Sequence, residues 1–170
     1  MEKITISVFL IMIMCCGALL GSSKNLTIPL FGRSSVILNP TEYKDYYSIW
    51  VANQIYTSLL QRTNQTQIKP AIAELIEIDD SGKKYVFRII KGRKFSNGKQ
   101  ITSRDVRFTF EYLLKHKKNN VNILEKIVGA YNYKKGKAKF LKGFKILDND
   151  SFSITLESAH HYFLYALAMP

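Results

Sequence analysis

The stretch Phe87–Leu113, FRIIKGRKFSNGKQITSRDVRFTFEYL, decides how this chain is read. It completes a run in which Tyr85, Phe87 and Ile89 alternate with Val86, Arg88 and Ile90, the period of two of a pleated strand. Asn97-Gly98, inside SNGK, supplies the positive φ angles of a tight turn. From Thr102 the period changes. Val106, Phe110, Leu113 and Leu114 recur at helical spacing as one apolar stripe, while Arg104, Arg107, Glu111 and Lys115 face outward. Thr102 followed by Asp105 resembles an N-terminal capping pair, with Asp in place of Glu or Gln. The stretch therefore reads as strand, turn and helix, and Phe87, Phe108 and Phe110 are expected to point inward.

The same logic extends in both directions. Upstream, AELIEIDDSGKKYVFRIIKG predicts a hairpin whose turn chemistry comes from Asp79, Asp80 and Gly82. Before it, DYYSIWVANQIYTSLLQ places Ile49, Ala52, Tyr56, Leu59 and Leu60 at helical spacing, with Asp45 or Ser48 as cap. A polar linker, RTNQTQIKP, separates the two, and Leu26–Phe31 predicts a short buried strand followed by a loop through Pro40. Downstream, the pattern predicts a helix over Ile123–Tyr131. A second hairpin, FKILDNDSFSITLES, turns at DND, and a final helix starts within Tyr162–Met169.

Charge is unevenly distributed along the chain. Of 170 residues, 46% are hydrophobic and 12% aromatic, which argues for a packed core, and the formal net charge is +12. Between Lys83 and Lys145 nineteen Lys or Arg face three acids, Asp105, Glu111 and Glu125. Such a field attracts acidic partners and is screened by salt. A platform for nucleic acid would need exposed aromatics beside that charge. With the phenylalanines assigned to the core, the lysines read as a solvated face and nucleic acid is not expected as a partner. YKKGKAKFLKGFK (Tyr133–Lys145) reads as a solvated hairpin entry, with contact to anionic lipid or acidic peptide as the alternative.

The N-terminus reads as an address. Lys3 precedes an apolar run from Ile4 to Leu20, and Gly21 and Ser23 fit the small-x-small pattern for cleavage after Ser23. Residues 1–23 are thus expected to be an export signal, with a retained anchor as the alternative. Cys15 and Cys16, the two cysteines of the chain, exclude a disulfide framework elsewhere. Either is a candidate lipidation site, although Met14 before Cys15 departs from the small residue such signals prefer; otherwise both are ordinary apolar residues of the signal. His160-His161 point in different directions if helical, so no metal is expected. Asn25, Asn64 and Asn149 head N-x-Ser/Thr triplets, which matter only in a eukaryotic secretory pathway. No catalytic set stands out, and neither enzyme nor cofactor is expected.

KPAIAELIEIDDSGKKYVFRIIKGRKFSNGKQITSRDVRFTFEYLL resembles the signature segment of the family 5 extracellular solute-binding proteins. These are the oligopeptide, dipeptide and nickel receptors of bacterial ABC importers. Pro70, Ala73, Glu74, Gly82, Tyr85, Phe87, Lys91, Gly92, Phe95, Ser96, Gly98, Lys99, Thr102, Asp105, Val106 and Phe110 match. Gln100 stands where proline is common, and Arg104 where glutamate is common. ILNP (Ile37–Pro40), QIYTSLL and GKAKFLKGFKILDNDSFSITLES extend the likeness over nearly all of the chain beyond Ser23.

The resemblance implies an α/β, periplasmic-binding-protein-like fold (type II, cluster C). Residues 24–170 would be an incomplete first lobe with a mixed sheet, β-hairpins and packed helices, truncated before the second lobe. It implies a peptide ligand held by main-chain pairing, an ABC permease in the inner membrane as partner, and a place in the periplasm or cell envelope. The membrane would be met only through an N-terminal lipid. Carried across from Pro40, the ligand-pairing segment falls at Lys44, Asp45 and Tyr46; a helix cap and first turn is the alternative for Asp45. Alone, residues 24–170 are expected to hold no peptide with useful affinity. Two other readings are an exported basic interaction protein and a non-functional remnant of such a receptor, whose mark would be loss of cooperative unfolding.

Overall fold

The structure, a computed structural model, describes residues 36–39, 42, 45–63, 67–116 and 122–169. The strand expected at Leu26–Phe31, the N-terminal address with Cys15 and Cys16, and Lys44 lie outside the described residues. All described residues belong to the unit Ser34–Pro170.

Helix α1 (Tyr46–Ile55) begins at the cap Asp45. It ends earlier than its apolar spacing suggests. Tyr56 is extended, and the apolar residue Leu60 enters strand β1 (Leu60–Arg62) instead of a last helical turn. Strand β1 pairs antiparallel with β2 (Ile68–Pro70), so the segment read as a polar linker is in fact a small two-stranded sheet. Its polar side chains stay in water while its backbone groups pair, a division that side-chain polarity alone does not reveal.

The main sheet has four strands in the order β3-β4-β6-β5. The expected first hairpin is β3 (Ala73–Ile78) with β4 (Lys84–Ile89); the second is β5 (Phe144–Ile146) with β6 (Ser151–Thr155). Strand β6 pairs with β4 and ties the hairpins together, with Phe87 opposite Phe152. Every ladder among the described residues is antiparallel, which corrects the expected mixed sheet. The reason is local: each hairpin closes through an aspartate turn, and tight turns join antiparallel neighbours. In the first, Asp79 Oδ1 accepts from the amides of Lys83 and Lys84 at 2.9 and 2.8 Å. In the second, Asp148 Oδ1 accepts from those of Asp150 and Ser151, both at 2.7 Å.

Helix α2 (Ser103–His116) covers one face of this sheet. Its start is the predicted cap: Asp105 Oδ2 accepts from the Thr102 amide at 2.9 Å and from the Thr102 hydroxyl at 2.6 Å. Val106, Phe110 and Leu114 are buried against Phe87, Phe144, Phe152 and Ile154. The rings meet in sequence, Phe110 to Phe144 at 5.6 Å, Phe144 to Phe152 at 5.1 Å and Phe152 to Phe87 at 5.4 Å. Each such side chain contributes about 1.5–3 kcal/mol of burial.

Three expectations fail here. Phe108 points outward, 67% exposed. Glu111 does not face solvent; its carboxylate accepts from the amide of Leu141 at 2.9 Å and pins the following loop to the helix. The helix expected over Ile123–Tyr131 is instead a 3-10 turn (Leu124–Lys126) and a short helix α3 (Ala130–Lys134). They break at Gly129, whose φ of 78° excludes continuation. A final helix, α4 (Phe163–Ala166), returns the chain to β1, where the Leu60 amide donates to the Leu167 carbonyl at 3.2 Å.

Candidate functional site

Of the three residues to which the ligand-pairing role was carried, Asp45 and Tyr46 are described. Asp45 has extended backbone angles (φ −100°, ψ 158°) and so stands just outside α1 as its N-cap. Its Oδ1 accepts from the Ser48 amide at 2.9 Å and its Oδ2 from the Ser48 hydroxyl at 2.6 Å. The Asp45-x-x-Ser48 spacing thus yields both proposed caps at once. Asp45 is the cap, and Ser48 is the buried hydroxyl that holds it.

Ser48 does a second job. Its Oγ accepts from the amide of Ile37 at 3.0 Å, and the Tyr56 hydroxyl donates to the carbonyl of Leu38 at 2.9 Å. The segment 36–39 is therefore laced to α1 at two points, a consequence that helical periodicity could not reveal. The Ser48 hydroxyl, followed by the Ser48 amide, holds the Asp45 carboxyl below the usual aspartate range. It stays ionised at neutral pH.

Tyr46 is 74% exposed, its ring edge-on to Tyr47 at 5.9 Å. The structure thus brings together an ionised carboxylate, an exposed phenol and an anchored segment. A carboxylate has about four acceptor sites; the Ser48 amide and hydroxyl bond two, and the backbone amides of Asp45 and Tyr47 also favour the Asp45 anion. Chemically, this corner can accept hydrogen bonds from an ammonium or a backbone amide and pack an apolar group on Tyr46.

Among the described residues no three His, Cys, Asp or Glu side chains are grouped to hold a metal ion. No helix of the described residues is long and apolar enough to cross a membrane.

The chain matches the family of bacterial extracellular solute-binding proteins, family 5 Middle, over residues 67–170. It is 32% identical over 152 residues to Heme-binding protein A of Haemophilus influenzae, covering 83% of this chain and 26% of that protein. It is 25% identical over 165 residues to a dipeptide-binding protein of Lactococcus lactis, covering 94% of this chain and 30% of the relative. Among solved structures, the substrate-binding domain of an oligopeptide ABC transporter from Bacillus anthracis superposes with a TM-score of 0.69 at 28% identity. That superposition covers 77% of this chain and 26% of the other. A periplasmic oligopeptide-binding protein from Borrelia burgdorferi gives a TM-score of 0.69 at 25% identity, covering 82% and 30%. The chain thus spans between a quarter and a third of the length of these relatives. Since the family match over residues 67–170 spans every residue of the main sheet and of α2, this chain belongs to the family 5 extracellular solute-binding proteins.

Proposed function

We propose that the chain forms part of the solute-binding component of a peptide importer, a receptor outside the inner membrane that delivers oligopeptide or dipeptide to an ABC permease. The observation that supports this reading is the superposition of this fold on two solved oligopeptide-binding proteins at 25–28% identity and a TM-score of 0.69. The reading is that of a receptor, with no reaction catalysed. Residues 1–23 would direct export, with Cys15 or Cys16 as the lipidation site if the protein is a lipoprotein. Asp45 and Tyr46, with Lys44 beside them, would meet the ligand, the carboxylate accepting from its main-chain N–H groups. Main-chain pairing suits broad specificity, because each such bond contributes roughly 0.5–1.5 kcal/mol whatever the side chain.

The test begins with the protein purified from its native cells, whose intact mass reports processing and lipid. Its thermal midpoint is then followed with mixed tetra- to hexapeptides, and separately with heme. A product as long as the relatives should be raised by peptide, since a ligand at 100 times its Kd adds about 2.7 kcal/mol. Residues 24–170 alone should show no peptide binding at micromolar concentration. A midpoint raised by heme and unmoved by peptide would overturn the peptide assignment.

A further inference from the structure

The turn between β4 and α2 carries a reactive pair that the receptor reading leaves unused. Asn97 is the one asparagine of the chain followed by glycine, and both residues are exposed. An asparagine side chain is open to attack by the backbone nitrogen that follows it, and glycine offers that nitrogen with no Cβ in the way. The space around Gly98 is also open: an added Cβ would meet nothing within 4 Å. Sterics therefore leave the pair free to react, and what restrains it is hydrogen bonding.

Both reacting groups are tied. The Gly98 amide, which holds the nucleophilic nitrogen, donates to the Phe95 carbonyl at 2.9 Å. Asn97 Oδ1, on the carbon to be attacked, accepts from the Lys99 amide at 3.0 Å. Outside them the Phe95 amide donates to the Lys99 carbonyl at 2.8 Å, and Lys94 bridges to Gln100. To attack, the Gly98 nitrogen must lose its proton and turn onto Cγ, which it cannot do while it donates to Phe95. The turn must open first. Its bonds are few and exposed, so that opening is local and does not await unfolding of the sheet.

We propose that Asn97 is a modification site gated by this turn, sealed while the turn is closed and converted to aspartate or isoaspartate when it opens. In the open turn the Gly98 nitrogen bonds to Asn97 Cγ and the Cγ–Nδ2 bond breaks. The Gly98 proton passes through water to the departing nitrogen, which leaves as ammonia, and a succinimide ring remains. Water then adds to one of the two ring carbonyls, and the ring C–N bond on that side breaks. Breakage at Cγ gives aspartate, whose carboxylate still accepts from the Lys99 amide, so the turn re-forms. Breakage at the backbone carbonyl gives isoaspartate, which routes the chain through Cβ and adds one atom to the loop between Phe95 and Lys99. The old pairing no longer fits that loop, and the opening becomes permanent. Either product adds a negative charge beside Lys99.

The test compares the folded protein with the same protein in guanidinium chloride, at one pH and temperature. Peptide mapping by mass spectrometry follows conversion at Asn97, and amide exchange of the folded protein gives the protection of the Gly98 N–H. Conversion should be at least about tenfold slower in the fold, the factor that breaking these few exposed bonds imposes. The slowing should match the Gly98 protection factor within about threefold, because one opening exposes the same nitrogen to exchange and to reaction. Equal rates in the folded and unfolded chain would overturn the proposal, since the turn would then be no gate. So would slowing far beyond the Gly98 protection, which would place control in unfolding of the whole sheet, and so would an Asn97 that converts in neither state.

Discussion

At the residue scale, glycines separate two kinds of constraint. Gly143 is buried where three backbones converge: an added Cβ would lie 2.6 Å from the Thr155 carbonyl oxygen and 2.8 Å from the Val128 nitrogen. Gly143→Ala should therefore lower stability by about 1–3 kcal/mol through overpacking. Gly98 has open space around it but a φ of +85°. Gly98→Ala should cost about 1 kcal/mol through backbone strain, and Gly98→Asn less, because Asn tolerates the left-handed region. Urea midpoints of the three variants should rank in that order. Only the second constraint was legible in the sequence, where Asn-Gly announces its turn. The first depends on a neighbour twelve residues away, on β6. Phe108 was misread for a related reason. It stands two residues from Phe110, which on a helix is about 200° around the axis, so one inward phenylalanine excludes the other.

At the element scale, the units that were legible are those whose start and stop are chemical. Both hairpins and α2 lay where Asp79, Asp148 and the Thr102–Asp105 pair put them. Asp105→Ala should cost about 1 kcal/mol by removing the cap of α2, and should raise amide exchange in its first turn ahead of its last. Unchanged exchange there would show that packing alone holds the helix start. The elements that were misjudged lack such markers. Helix α1 stops short and Leu60 enters β1, and the predicted helix at Ile123–Tyr131 breaks at Gly129, whose φ is +78° and where an added Cβ would meet Lys142. Both are tertiary effects that override local spacing. The candidate site shows the same division: the Asp45 cap could be read from its spacing, but the lacing of residues 36–39 to Ser48 and Tyr56 could not.

At the scale of the whole unit, one apolar cluster draws residues from β1 through α4, including Leu60, Phe87, Phe110, Phe152, Phe163 and Leu167. Urea should therefore unfold it in one cooperative step, the opposite of what a non-functional remnant would show. Phe152→Ala, at the ring junction between both hairpins, should cost about 3–5 kcal/mol. Low pH should also weaken it. Hydrogen bonds from the Ser48 hydroxyl hold Asp45 below the ordinary value of 3.8, those from the Ser81 hydroxyl hold Asp79 there, and those from the Asp150 amide hold Asp148 there. For Asp105 burial pushes upward but is outweighed by Thr102 and Lys99. In each case the ionised form is the one bonded in the fold. This stability is thus complete above about pH 4 and drains away as pH falls through the depressed values. Midpoints that hold between about pH 3 and pH 5 would contradict this account.

The bond between the Leu60 amide and the Leu167 carbonyl brings together two points separated by nearly the whole packed unit. Everything from the small sheet to α4 is thus an excursion that leaves and returns at one spot. Such a closed circuit has no preferred beginning, so its order of synthesis should be separable from its architecture. A circular permutant that joins the neighbourhoods of Leu60 and Leu167 by a short flexible bridge, and opens at the exposed Asn97-Gly98 turn, should fold to the same sheet and helix.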